Sequence, residues 1–421
     1  MKKEVSILLV GTGGYGNLYI DALFGEPDAA AAALAERYAP FNIAGAVEPA
    51  PAARSLAAGL GIPLYDSIDE FYAERRADLA VLSTPIHLHC EQIIACLKYG
   101  SNVLCEKPMC ATVEQANEIR RAEKASGKFV KIGYQMSFSR AVLDLKADIL
   151  NGKFGKPVLL KTLVHYPRDE IYYARNQWAG RRNMPDGRPV NDSPLHNAVS
   201  HHFNNMLFVL GGAPDIAAIP ATVQAELYRG NPDVDNFDTA ALRCKTVTSW
   251  GNEIDILFYT SHSLARENNI GPICQYRFEK ATVTHLDDRE HETFFAMLDD
   301  GGTIRYEPSD EGQSKKLWDC MEAVRGGAVP PGGTDAAAAE VISACAAQQS
   351  RPVVTIPDKY VKRIGAIGAR YTNVAGLEDM MFRCFERNLL PSELEDGFRP
   401  SWAVPGDVVP IPADALKNPV Y

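Results

Sequence analysis

Residues 4–16 read EVSILLVGTGGYG, and the fold turns on this stretch. Val5, Ile7, Leu8, Leu9 and Val10 make an apolar run of the kind found in a central parallel strand, buried on both faces. Gly11, Gly13 and Gly16 follow at the spacing G-x-G-x-x-G. Gly11 allows a tight turn, Gly13 lets the backbone approach a pyrophosphate, and Gly16 lets the next helix pack close to the strand. The N–H groups at that helix start, with Gly14 and Tyr15 beside them, would hold the phosphates. A second apolar segment, Phe41 to Glu48 (FNIAGAVE), ends in an acid. An acid there can accept hydrogen bonds from both adenosine ribose hydroxyls, and its charge repels a 2′-phosphate. The 32 residues from Gly16 to Glu48 exceed the usual ~20, and the alanine-rich residues 29–35 account for a lengthened crossover. The expected cofactor is NAD. A glycine turn that holds no nucleotide is the plain alternative.

Outward from this motif, short apolar strands alternate with helical stretches to about residue 130. Leu79 to Leu82 is a buried strand, His89 to Tyr99 a helix stopped by Gly100, Asn102 to Cys105 a strand, and Thr112 to Ser126 a helix ending at Gly127. That rhythm predicts a Rossmann, doubly wound parallel sheet over residues 1–130. Beyond Phe129 the strands lengthen: Val158 to Val164, Thr222 to Leu227, Thr239 to Thr248, Glu253 to Tyr259, Cys274 to Phe278 and Thr282 to His285. They predict an α+β domain over 131–365 with a largely antiparallel open sheet. The helix near 334–348 is expected to pack back on the first domain, and a late strand runs from Pro352 to Ile356. A proline-rich extension with Trp402 fills 366–421.

Composition bounds the function. The chain has 421 residues, 46% hydrophobic and 23% charged, and a formal charge of −10. An acidic chain without a Lys/Arg block argues against nucleic acid. No stretch reaches the ~20 apolar residues that span a bilayer. The N-terminus runs almost at once into the first strand, which reads as the absence of a secretory signal. Nine cysteines without a C-x-x-C spacing read as reduced thiols of a cytoplasmic protein.

Cys105-Glu106-Lys107-Pro108 follows the fifth strand, at the carboxyl edge where ligands of such sheets bind. With the glycine loop, Thr84-Pro85-x-x-x-His89 and the change to an antiparallel sheet, this arrangement resembles the Gfo/Idh/MocA oxidoreductase family over roughly residues 1–365. The resemblance implies an NAD- or NADP-dependent enzyme acting on sugars, inositols or related polyols. It also implies that Thr84, Pro85, His89, Glu106 and Lys107 line the cofactor, and that Lys107 bonds the reacting hydroxyl. A cation beside a developing alkoxide stabilises it; the plain alternative for Lys107 is a solvated surface lysine.

The family pattern D-x-x-x-H-x-x-D has its best match in Asn197-Ala-Val-Ser-His201-His-Phe-Asn204, with the register set by Leu210-Gly211. The resemblance then makes His201 the general base. Histidine suits that work because its ordinary pKa of ~6.5 lies near working pH. Both family aspartates are asparagine here. A base without a neighbouring carboxylate is expected to be weaker, so oxidation would rise with pH through the titration of His201.

His196, His201 and His202 invite a metal reading, but on a helix they do not converge; no metal is expected. His196 and Asn197 are expected as polar groups of the pocket, with Asp192-Ser193-Pro194 a helix start in which Asp192 caps. Tyr134 and Gln135, after the sixth strand, are candidates for reaching the substrate. The segment Tyr166 to Val190 carries Arg168, Tyr172, Tyr173, Arg175, Trp178, Arg181 and Arg182, faces and forks that suit a sugar ring. Trp178 and Arg182 are its leading substrate candidates, and an oligomer interface is the competing reading; a homo-oligomer is expected. The functional expectation is oxidation of a secondary hydroxyl of a sugar, glycoside or cyclic polyol, such as C3 of a hexose. NAD-assisted glycoside cleavage and a non-catalytic dinucleotide sensor are the alternatives.

Overall fold

The computed structural model describes residues 2–25, 28–265, 269–285 and 293–416. Six strands form the first sheet: β1 (Val5–Val10), β2 (Phe41–Val47), β3 (Leu64–Tyr65), β4 (Leu79–Leu82), β5 (Asn102–Cys105) and β6 (Val130–Ile132). Their order is β3-β2-β1-β4-β5-β6, and every pairing is parallel. Helices α1 (Gly16–Phe24), α2 (Ala29–Tyr38), α3 (Pro51–Gly59), α4 (Ile68–Glu74), α5 (Ile86–Lys98) and α6 (Val113–Ser126) make the crossovers. Helix α2, capped by the Asp28 carboxylate, is the insertion that lengthens the first crossover. The strand order reverses between β1 and β4, so the ligand crevice lies at the carboxyl ends of those two strands.

The second sheet has ten strands: β7 (Pro157–His165), β8 (Thr222–Arg229), β9 (Thr239–Val247), β10 (Glu253–Ser261), β11 (Ile270–Phe278), β12 (Ala281–His285), β13 (Phe294–Leu298), β14 (Thr303–Tyr306), β15 (Val354–Thr355) and, from the extension, β18 (Val408–Pro410). It is largely antiparallel; β7 with β10 and β8 with β15 are its parallel pairs. β13 and β14 escape the sequence reading because each is short and lacks a sustained alternation.

Helices α7 (Arg140–Leu150), α9 (Ser200–Val209) and α11 (Thr334–Ser350) cover one face of this sheet. The short α8 (Glu170–Ala174) lies in the segment after β7. Helix α11 is buried almost all round, because its alanines allow close approach on two sides. Ala337, Ala338 and Val341 join the core of the first sheet, while Ala336, Ala339 and Ala347 join that of the second. Helix α10 (Lys315–Val324) packs Leu317, Trp318 and Met321 under β1 and β4, although it follows the second sheet in the chain. Trp318 stacks on Tyr38 at 4.9 Å.

The other face of the second sheet is covered by the extension. There β16 (Val361–Ile364) and β17 (Tyr371–Val374) form a hairpin, followed by α12 (Leu377–Arg387). Met381, Leu390 and Trp402 bury against Leu163, Tyr228 and Tyr259. Residues 417–421 of the expected extension lie outside the described residues. Among the described residues no helix is long and apolar enough to cross a membrane.

Candidate active site

The glycine loop leaves β1 with Gly11 at φ +82°, a conformation that favours glycine. A Cβ at Gly11 would stand 3.0 Å from the Ser83 carbonyl oxygen, and one at Gly16 would stand 2.5 Å from the Gly11 carbonyl oxygen. The loop is therefore packed tight behind, while Gly14 faces open space. Helix α1 opens with no side-chain hydrogen bond from its N-cap residue, Tyr15. These residues fit the pyrophosphate of a dinucleotide. Glu48, buried at the end of β2, accepts from Thr12 N (2.7 Å) and Gly13 N (3.2 Å) through Oε2, and from Ala50 N (2.8 Å) through Oε1. The acid thus braces the loop as well as ending the strand. Arg54 nearby is tied to Asp66 (2.8 Å) and to the Glu48 carbonyl (2.9 Å). Tyr15 directs its hydroxyl away from the loop, donating to Gln313 and accepting from Lys316.

Two further loops end at the same edge. After β4, Thr84 and Pro85 lead into α5, with the Thr84 hydroxyl on Gln92. His89, expected to line the cofactor, is buried with Nδ1 2.8 Å from the Pro108 carbonyl and Nε2 2.8 Å from the Thr84 carbonyl. Both ring nitrogens are occupied, so in this structure His89 staples the loop after β4 to the loop after β5. After β5, Glu106 turns inward. Its Oε1 accepts from Tyr19 (2.6 Å) and from Lys316 Nζ (2.6 Å). A Cβ on Gly133 would collide with this carboxylate, so Gly133 makes the room it occupies. Burial opposes the charge on Lys316, but Glu106 and Tyr15 more than offset it and its pKa is raised.

Lys107 points the other way, toward the turn that precedes α9. Its ammonium donates to the Asn197 carbonyl (2.5 Å) and to Asn197 Oδ1 (3.1 Å). Asn197 Nδ2 in turn donates to Asp192 Oδ1 (2.6 Å), and Asp192 Oδ2 accepts from Gly180 N (2.6 Å). This corrects the reading of Asp192 as a helix cap. The cap is Ser193, whose hydroxyl accepts from His196 N, and it opens a π-turn over Pro194–Ala198 that turns Asp192 inward. Burial lowers the Lys107 pKa to about 8, against the pull of Glu106 and Asp192. One of its three donors remains for a ligand once Asn197 has taken two.

His201, on the first turn of α9, lies edge-on to the Tyr134 ring at 5.8 Å. Burial, and then the charge of Lys107, hold its pKa well below the ordinary value. Both causes favour the neutral imidazole. His196 is fully occupied: Nδ1 meets Glu340 Oε1 at 3.0 Å and Nε2 meets the Cys110 carbonyl at 3.0 Å. Burial disfavours its charge but Glu340 prevails, so its pKa is raised. Tyr134 also donates to Glu340, through Oε2 at 3.0 Å. Neither His196 nor Tyr134 offers a polar atom to a substrate; both fix the wall on which His201 rests.

The remaining candidates spread out. Gln135 opens a 3-10 turn after β6. Trp178 packs against Ile86, Ala111 and Val190, bridging the start of α5 to the segment after β7. The Arg182 side chain is exposed, and its backbone carbonyl accepts from Val190 and Asn191. Lys316 and Glu340 are absent from the sequence reading, and Asp192 enters it only as a cap. Glu340 carried a signal, an acid in the middle of an alanine-rich apolar helix; Lys316 carried none.

Residues 5–134 match the family model described as "Oxidoreductase family, NAD-binding Rossmann fold" (GFO_IDH_MocA). Inositol 2-dehydrogenase 1 of Mycolicibacterium vanbaalenii is 36% identical over 96 residues, 23% of this chain and 28% of that protein. An uncharacterized oxidoreductase of Streptococcus pneumoniae is 26% identical over 39% of this chain and 42% of its own length. The matches thus span less than half of these relatives. Among solved structures, the WlbA dehydrogenase of Bordetella pertussis, in complex with NADH and UDP-GlcNAcA, superposes with a TM-score of 0.65 at 19% identity, covering 83% of this chain and 96% of that one. Aldose-aldose oxidoreductase of Caulobacter crescentus, complexed with glycerol, gives 0.64 at 19% identity, covering 83% and 99%. The structures share the fold over both sheets, and the chain carries, in residues 5–134, the NAD-binding Rossmann domain of the Gfo/Idh/MocA oxidoreductase family.

Proposed function

We propose that this protein is an NAD-dependent dehydrogenase that oxidises a secondary hydroxyl of a sugar, glycoside or cyclic polyol to a ketone. The observation that carries the proposal is the Lys107 ammonium, held by Asn197 of the other domain at the carboxyl edge of the first sheet. Bound NAD supplies a hydride acceptor. The third donor of Lys107 holds the reacting oxygen and stabilises negative charge as the proton leaves. His201, neutral and close by, takes that proton. Glu106 with Lys316, and Glu340 with His196, keep the two walls fixed so that neither group must reorganise.

Glu48 supports NAD over NADP, because a 2′-phosphate would meet its carboxylate while Arg54 is already paired with Asp66. The position oxidised is expected to be a ring carbon such as C3 of a hexose. Steady-state assays with both cofactors over inositols, hexoses and glycosides, with product NMR, test the reading. Net NADH with a ring ketone, and higher kcat/KM with NAD, is expected. An aldonolactone, or a released aglycone without net NADH, would contradict it.

A further inference from the structure

The segment between β7 and α9 holds an imbalance of charge. Each of its acids is engaged: Asp169 caps α8, Glu170 is paired with Arg363 and Arg370, Asp186 is paired with Arg188, and Asp192 accepts from Gly180 N and Asn197. Arg168 and Arg175 have no carboxylate partner among the described residues. They converge on one ring instead, with Arg168 4.8 Å and Arg175 3.6 Å from the centre of Tyr172. Arg168 Nε is buried without a hydrogen-bond partner, and Arg175 also lies over Trp178 at 5.3 Å.

A chain of contacts links these cations to the candidate site. Trp178 packs on Ile86 at the start of α5, beside the crevice. Arg168 is 5.5 Å from the Tyr166 ring, and the Tyr166 hydroxyl meets His202 Nε2, next to His201, at 3.3 Å. With Lys316 spent on Glu106, Lys107 and Arg175 act on one shared carboxylate, Asp192, and Arg168 shares the Tyr172 ring with Arg175. Two guanidinium forks stacked on aromatic faces, with donors to spare, match a carboxylate or phosphate.

We propose that the substrate carries an anionic substituent, bound by Arg168 and Arg175, and is therefore a sugar acid or sugar phosphate and not a neutral sugar. This deepens the dehydrogenase reading and rests on it for the place of the reacting carbon. The choice between carboxylate and phosphate is left to the arms of the test.

The test compares D-glucuronate and D-glucose 6-phosphate with D-glucose, and D-galacturonate with D-galactose, in two assays. The first titrates the enzyme–NADH complex and reads binding through nicotinamide fluorescence, without turnover. The second measures kcat/KM for NADH formation. An anionic sugar should bind roughly ten- to a hundredfold tighter than its neutral counterpart, the usual weight of a charge-assisted hydrogen bond. In Arg175→Gln that ratio should fall toward one, with the change in KM and not in kcat. Arg168→Gln should act in the same sense, and Arg175→Gln, at an exposed position, keeps the test open if Arg168→Gln does not fold. Anionic sugars binding no tighter than neutral ones, or a ratio unchanged in Arg175→Gln, overturns the proposal. NADH formation from neutral sugars alone would overturn it while leaving the dehydrogenase standing. Tight anionic binding with no NADH from any sugar would do the reverse.

Discussion

Asn197 stands where the resemblance expects a carboxylate, and the charge comes instead from Asp192, five residues earlier and 2.6 Å away through Asn197 Nδ2. Asp192 raises the Lys107 pKa against the burial that lowers it to about 8. If Lys107 works as a cation, kcat/KM should be level below pH 8 and fall above it as the ammonium loses its proton. Asp192→Asn removes the carboxylate, so the pKa drops and the fall begins at lower pH. Adding Asn197→Asp to Asp192→Asn should return the profile toward the wild type. Rate–pH profiles of the three proteins check this. A structural role alone would lower the rate without moving the profile.

Helix α11 shows what an element can do with one acid. Its alanines let it wedge between the two sheets, and Glu340 spends both oxygens, on His196 and on Tyr134. Glu340→Ala would leave two buried polar groups, His196 Nδ1 and the Tyr134 hydroxyl, without this partner. The cost should be about 3 kcal/mol, seen as a lower Tm by calorimetry; an unchanged Tm would show that the buried trio carries no stability. The physics that made α11 easy to recognise as a helix concealed its role. The glycine loop, the acid after β2 and the strand before Glu106 were legible because their chemistry lies within a few residues of one stretch. Glu340 and His196 are 144 residues apart, and Lys316 and Glu106 are 210. No local pattern joins such pairs; only the packing of α10 and α11 back on the first sheet does. The partners of His89 are likewise out of reach of a local pattern, since they are carbonyls that a sequence does not display.

At the scale of the whole molecule, the extension is part of the core. Trp402 lies 4.8 Å from the Tyr228 ring and is 5% exposed, and with α12 it covers the central strands of the second sheet. Trp402→Ala should cost about 3 kcal/mol or more, measured by chemical denaturation. A stability equal to wild type would mean that the extension is only laid on the surface. With this face covered by the chain's own residues, the homo-oligomer expected from the sequence would not pack directly on these strands.

The central claim is that one cation from the first domain, held by the second, performs the chemistry. It is tested most directly by Lys107→Met, with NADH binding and NADH formation measured on the same preparation. The account predicts unchanged NADH affinity with turnover lower by roughly two to four orders of magnitude. Near-normal turnover in Lys107→Met, or a loss of NADH binding that accounts for the whole defect, would contradict it.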